Sequence, residues 1–231
     1  MNSHRRSELA SAITALVASM QQLSHDMHEA AQADFTNVVE PDASHSDGHR
    51  GRMPRLHVLA KAASQKAGIP LLGLGFLGAR RPDSQVPIYW WFVRPDGMTE
   101  EQLVVNTQPR ALTFYDAAQA DWWRGAVAGR DVYASGPYID VSGTNAYVVT
   151  FSKSVHMSGA LAGVVAADIR VGDLQALLRE QLVSEPRAVS LIDHEGAVIA
   201  TNRGRLLGGT VDPDGVTEYE NIAGTNWRIV R

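Results

Sequence analysis

Residues 122–171 constrain the fold more than any other part of the chain, because they read as a short helix followed by three strands joined by tight turns. Residues 147–152 are rich in β-branched and aromatic types, and serine-glycine pairs flank them on both sides, which is typical of hairpins. The preceding strand, residues 132–141, carries Pro137, and proline in a sheet belongs at an edge or at the entry of a strand. The pattern therefore predicts one sheet built from sequential hairpins.

Asp168 is the one acid in the apolar run at residues 160–169. An ionised carboxylate is costly to bury without partners, so Asp168 is either a hydrogen-bonded structural residue or the polar point of a ligand pocket. The sequence contains no cysteine nucleophile, GxSxG elbow or HExxH pair. We therefore expect a non-catalytic binding site. The alternative is a small-molecule hydrolase or lyase that uses Asp140 and Asp168 as paired carboxylates.

The composition limits the domain count and the classes of binding partner that the chain can have. The 231 residues suffice for one large domain or two small ones, each with its own core. A formal net charge of −4 provides no basic surface, so we expect no direct contact with nucleic acid. The absence of cysteine excludes disulfides and thiolate sites.

The N-terminal segment bears on location. Arg5 and Arg6 precede residues 9–20 in an order that imitates a signal peptide, but Glu8 and several hydroxyl side chains make the segment too polar. No stretch is long and apolar enough to span a bilayer. On these grounds we expect a cytoplasmic protein without membrane contact.

Residues 1–40 are expected to form a long helix. Its apolar positions are separated alternately by four and three residues, the spacing of a coiled-coil seam. They are Leu9, Ile13, Leu16, Met20, Leu23 and Met27. The stripe either pairs two subunits, which predicts a homodimer, or packs on the chain's own sheet.

Residues 40–53 are polar, contain glycine and lack periodicity, so we expect a loop. Its His45, Asp47 and His49 could converge on a cation, but a loop with no supporting shell is a poor metal site. We expect neither a metal nor a cofactor. A second helix begins at Pro54.

Residues 73–78, GLGFLG, formally match the glycine fingerprint of dinucleotide-binding folds. That fingerprint requires a helix directly after the glycines, and Pro82 and Pro87 forbid a long one here. We expect two strands instead, with the second at residues 86–93. Alternation puts Tyr89 and Trp91 on one face of that strand, where their polar tips make them candidates for a pocket wall.

Several of these motifs occur together in one known order. The pair Trp122-Trp123, the segment PYID at residues 137–140, Thr150 and the strand GVVAADI at residues 163–169 resemble the Cache superfamily. These are PAS-like small-molecule sensor domains of chemotaxis receptors and histidine kinases. The resemblance covers roughly residues 54–185. It implies a long N-terminal helix on a PAS-like antiparallel sheet, and residues 186–231 resemble a truncated second lobe.

The resemblance also bears on the ligand. Amino-acid-binding Cache domains carry an arginine two residues before the aromatic pair, where it holds the ligand carboxylate, and this chain has Ala120 there. Indole faces and a carboxylate suit a positively charged group. We therefore expect an amine, amino acid or similar cationic or zwitterionic metabolite. The candidate ligand-binding residues are Tyr89, Trp91, Trp122, Trp123, Tyr138, Asp140 and Asp168.

Taken together, the sequence predicts an α+β protein with three parts: a helix at 1–40, a Cache-like ligand-binding domain at 54–185 and a small β lobe at 186–231. The expected function is to bind a small metabolite and to report its presence to a separate signalling or transcriptional partner.

Overall fold

The chain folds as α+β, as expected. The computed structural model describes residues 7–36, 53–66, 68–80, 86–94, 97–99, 103, 105–106, 115–129, 131–141, 143–204, 208–212, 215 and 218–231. The metal candidates His45, Asp47 and His49 lie outside the described residues.

Helices and strands occur in groups along the chain. The described helices are α1 (Glu8–Thr36), α2 (Pro54–Ser64), α3 (Asp121–Ala128), α4 (Val171–Leu177) and α5 (Arg179–Ser184), with a 3-10 turn at Ala117–Gln119 before α3. The strands are β1 (Leu71–Gly78), β2 (Ile88–Arg94), β3 (Gly97–Met98), β4 (Tyr133–Ile139), β5 (Tyr147–Met157), β6 (Ala160–Arg170), β7 (Ser190–Ile192), β8 (Val198–Thr201), β9 (Tyr219–Asn221) and β10 (Arg228–Val230).

The strands form two sheets with antiparallel neighbours. The first sheet has the order β3-β2-β1-β6-β5-β4, and the second has the order β8-β7-β10-β9. Pro137 lies in β4 at the edge of the first sheet, where a missing backbone donor is tolerated. The glycines of GLGFLG lie in β1. Position 75 requires glycine, because a side chain there would overlap the backbone carbonyl of Tyr89 in β2.

Helix α1 contacts both sheets. Its apolar stripe is no more than 7% exposed and belongs to the main core. His28 hydrogen-bonds the Ser154 carbonyl of β5, and Gln21 donates to the Gly224 carbonyl in the second lobe. The prediction that this stripe forms a seam with a second copy is therefore wrong, because the residues that would make the seam are used inside the chain.

Trp227 anchors the second sheet to the first. It is 1% exposed, and its ring meets that of Phe151 edge to face, with centroids 5.6 Å apart. Both rings belong to the core that also contains the α1 stripe. The division into parts at 1–40, 54–185 and 186–231 remains a proposal, and a shared core joins the three.

Asp34, near the end of α1, caps the first turn of α2. Its carboxylate accepts hydrogen bonds from the backbone N–H groups of Arg55 at 3.1 Å and Leu56 at 3.0 Å. The first turn of a helix carries donors without intrahelical partners and the positive end of the helix dipole, so an acid is favourable there. The bonds fasten α2 to α1.

We expect Asp34→Ala to lower the free energy of unfolding by about 1–3 kcal/mol, because it leaves backbone N–H groups of α2 without their hydrogen-bond acceptor. Urea denaturation measures the change. Asp26→Ala on the same helix removes only a surface bond to Gln22, so it should change stability by about 0.5 kcal/mol or less. Equal effects of the two substitutions would contradict the capping role.

Candidate functional site

The site is a cleft on the face of the first sheet opposite α1. Antiparallel pairing aligns Gly73 of β1, Asp168 of β6 and Thr150 of β5 in one row, with their side-chain directions on that face. The next row holds Trp90, Gly75 and Ala166. Small residues in both rows leave room above the sheet.

Helix α3 covers this face and positions Trp122. The Ser152 hydroxyl of β5 donates to the Trp122 carbonyl at 2.8 Å, and the Tyr133 hydroxyl of β4 donates to Asp121 at 3.0 Å. The Trp122 and Trp123 rings pack edge to face with centroids 5.7 Å apart, and both are buried. The aromatic pair is therefore held rigidly over the sheet.

A hydrogen-bond chain runs from the edge strand to the buried acid. The Thr150 hydroxyl donates to Asp168 Oδ1 at 2.7 Å and lies 2.7 Å from the Tyr138 hydroxyl. A threonine hydroxyl has one proton, so Tyr138 donates to Thr150. Asp168 is 4% exposed, and the chain fixes the orientation of its carboxyl group.

Burial raises the pKa of Asp168 to about 8; the charge of Asp140 contributes, and the bond from Thr150 partly offsets the rise. Burial also raises the pKa of Tyr138 and Tyr115, and the nearby Asp168 and Asp140 charges raise both further. The ligand-free cleft therefore holds its inner acid protonated at neutral pH. A bound cation would reverse that preference, because an opposite charge favours the ionised form.

Asp140 lies towards the loop after β4. Its Oδ2 accepts hydrogen bonds from the backbone N–H of Thr144 at 2.6 Å and from the Thr144 hydroxyl at 2.9 Å. Asp140 is more exposed than Asp168. The two carboxylates thus differ in environment, with one deep in the cleft and one nearer its edge.

The cleft contains about 310 Å³ of space not filled by atoms, part of it open to solvent. Its lining residues are Leu77, Trp90, Leu103, Tyr115, Trp122, Tyr138, Asp140, Gly143, Thr144, Thr150, Ala166 and Asp168. Among these described residues there are two acids and no basic side chain. An aromatic, negatively charged cleft of this kind suits a small cation.

The structure brings together four predicted residues: Trp122, Tyr138, Asp140 and Asp168 all line the cleft. Trp123 lines a neighbouring cleft of about 320 Å³, which shares Tyr115 and Leu77 with the first.

Tyr89 and Trp91 point to the opposite face of β2 and belong to the main core, so their prediction as pocket residues is wrong. Trp91 packs against His57 of α2, with ring centroids 5.5 Å apart. The alternation along the strand was predicted correctly, but the choice of face was not. A polar atom on an aromatic side chain does not identify the pocket face of a strand, because tryptophan and tyrosine can also be buried in the core against a helix.

Trp90, Tyr115 and Leu103 also line the cleft but were not predicted from the sequence. A signal for Trp90 existed in β1, where Gly73 and Gly75 remove side chains from the cleft face of the sheet. A large ring on the adjacent strand fills such a gap. No comparable signal marks Leu103.

The chain resembles known sensor domains in sequence and in structure. Residues 95–176 match the family described as "Methyl-accepting chemotaxis protein-like, first PDC sensor domain". No match was found among curated proteins.

Three solved structures illustrate the likeness in fold. The ligand-binding domain of the Pseudomonas fluorescens chemoreceptor CtaA, in complex with L-valine, is 18% identical with a TM-score of 0.60, covering 96% of this chain and 91% of that chain. The domain of the Pseudomonas aeruginosa chemoreceptor PctC, in complex with GABA, is 16% identical with a TM-score of 0.57, covering 96% and 94%. The extracellular domain of the putative histidine kinase soHK1S-Z6 is 16% identical with a TM-score of 0.62, covering 97% and 89%.

The prediction of a cytoplasmic protein is wrong. The matched family consists of chemoreceptor sensor domains, and the matched kinase domain is extracellular. Within the described residues, no helix has the length and apolar character needed to cross a bilayer. The absence of a membrane-spanning segment from a stretch of chain does not reveal the cellular compartment in which that stretch lies.

We expect Asp168→Asn to stabilise the ligand-free protein increasingly as pH rises. The folded-state pKa of Asp168 lies above its unfolded value of 3.8, so the folded state binds more protons and loses stability between about pH 4 and pH 8. The advantage of the variant should grow by up to about 1.4 kcal/mol per pH unit in that window and then level off. Urea denaturation at pH 5, 7 and 9 measures it. If the difference in free energy of unfolding between Asp168→Asn and the parent does not change with pH, or if Asp140→Asn shows the same change with pH, the burial of Asp168 is contradicted.

Proposed function

We propose that this chain, which has the fold of PDC/Cache-like sensor domains, binds a small cationic or zwitterionic metabolite in the cleft under Trp122 and signals its presence to a partner. The observation that carries the proposal is the Asp168 carboxyl group, buried beneath aromatic rings and oriented by Thr150 and Tyr138. A polar point of this kind in an apolar cleft is typical of a ligand site.

Charge supports the choice of ligand class. The described lining contains Asp168 and Asp140 without a basic residue, and Ala120 precedes the aromatic pair where carboxylate-binding relatives have arginine. Similar domains were solved with L-valine and GABA, each of which carries an ammonium group. We infer that the ammonium end of the ligand lies beside Asp168, with the faces of Trp122 and Trp90 around it.

The enzyme alternative receives less support. Asp168 Oδ1 is engaged by Thr150 and Asp140 Oδ2 by Thr144, so each acid has a structural partner. The fold is that of PDC/Cache-like sensor domains, and we propose no reaction.

We expect Asp168→Asn to weaken the binding of an ammonium ligand by about tenfold or more, since a charge-assisted hydrogen bond contributes about 1.5–3 kcal/mol. Trp122→Phe should weaken it less, because a phenyl ring attracts a cation less than indole does. Tyr138→Phe, which frees the Thr150 hydroxyl, should have an intermediate effect. Calorimetry with simple alkylamines, GABA and L-amino acids measures the affinities.

Trp91→Phe is the matched control, because Trp91 neighbours the cleft residue Trp90 on β2 but faces the core. It should leave the affinity unchanged. Unaltered binding by folded Asp168→Asn, or a natural ligand that proves to be a simple anion, would contradict the proposal.

Homodimerisation through the N-terminal helix remains a proposal. Because the apolar stripe is buried, the contact must use the outer side of α1, where Ala15, Ala18 and Gln22 are exposed. Light scattering on the full chain should give twice the monomer mass of 25.0 kDa. A monomer mass at all concentrations would contradict dimerisation.

A further inference from the structure

We propose that Trp90 is a specificity-determining residue whose indole N–H donates a hydrogen bond to the ligand, so that the cleft prefers an amine carrying an adjacent acceptor group over a bare amine. The acceptor can be a hydroxyl, carbonyl or carboxylate oxygen. This inference rests on the proposed ligand-binding function.

Trp90 is a buried polar side chain without a partner. It lines the cleft and is 7% exposed, and its Nε1 has no hydrogen-bond acceptor among the described residues. Buried indole N–H groups usually find an acceptor, because leaving one unpaired costs free energy. A ligand acceptor that comes within reach of this N–H would satisfy it.

The missing side chain of Gly73 places this donor beside Asp168. A Cβ atom on Gly73 would lie 2.6 Å from Trp90 Nε1, so the indole nitrogen occupies the space of the absent side chain. Gly73 is paired directly with Asp168 across β1 and β6. Side-chain positions in such a pair are about 4.5–5.5 Å apart. The Trp90 donor and the Asp168 acceptor thus lie about one small functional group apart.

The two groups complement different parts of one molecule. Thr150 occupies Asp168 Oδ1, which leaves the second carboxylate oxygen for an ammonium group. Trp90 then bonds an oxygen three or four bonds from the ammonium nitrogen. A site with an unpaired buried donor discriminates against an analogue that lacks the acceptor, since that analogue leaves the donor unsatisfied.

Two pairs of nearly isosteric probes test the preference: 2-aminoethanol with propylamine, and 3-aminopropan-1-ol with butylamine. In calorimetry the parent protein should bind at least one amino alcohol about tenfold more tightly than its alkylamine partner. Trp90→Phe keeps an aromatic ring but removes the donor. It should abolish the preference, so that each amino alcohol and its alkylamine partner bind with equal affinity even if both bind more weakly than to the parent.

Ser135→Ala is the matched control. Ser135 pairs with Thr150 in the same row and is 0% exposed, and its Oγ also has no hydrogen-bond partner within the part of the chain that the structure describes. It does not line the cleft. This substitution should leave the preference intact. Gly73→Ala is a second test that leaves the Trp90 side chain unchanged. Its methyl group must displace the indole nitrogen, so it should reduce the preference.

The outcomes separate this inference from the proposed function. Alkylamine binding that depends on Asp168 but shows no gain from a hydroxyl group overturns the role of Trp90 alone. Retention of the preference in Trp90→Phe, with a native circular dichroism spectrum, overturns it as well. Failure of every amine and amino alcohol to bind the parent overturns the proposed ligand class together with this inference.

Discussion

Burying a carboxyl group in an apolar sheet is the constraint on which the cleft depends. Asp168 is held away from water, and its only described hydrogen bond comes from Thr150, which in turn receives one from Tyr138. Ionisation is therefore unfavourable until a positive group arrives. In the proposed function, an ammonium group bound beside Asp168 would favour its ionised form, so ligand binding and the charge of this residue would be coupled.

The two faces of the first sheet are packed differently: one forms the main core and the other lines the cleft. One face packs against α1 and α2 and contains Tyr89, Trp91 and Phe151 in the main core. The other face pairs large rings with small residues, so that Trp90 lies over Gly73 and space remains beside it. The main core and the proposed binding cleft thus lie on opposite sides of the same strands.

The contacts of α1 join the site-bearing sheet to the rest of the chain. Its carboxylate at Asp34 caps α2, its stripe fills the main core, and Gln21 reaches the second lobe. Trp227 adds an aromatic contact to Phe151 on β5, the strand that carries Thr150. A change at the cleft therefore has a packed route to both the helix and the second sheet.

Local pattern was enough to predict the α+β class, the hairpins of β4 to β6, a position for Pro137 at an edge or strand entry, and Asp168 as a candidate pocket residue. These features depend on strand periodicity, turn residues and the exceptional presence of Asp168 in an apolar run, all of which are local. The resemblance of the ordered motifs led to the sensor-domain fold. These predictions needed no knowledge of how distant segments pack.

Tertiary structure decided which face of each element is used. Alternation in β2 is compatible with either face, and only the helices packed on Trp91 assign Trp90 to the cleft. The stripe of α1 is likewise compatible with a second copy or with the chain's own sheet, and the core contains it. By itself the sequence determined periodicity and chemistry; the direction in which each face points was decided by long-range packing, because a side chain's burial depends on segments far away in the chain.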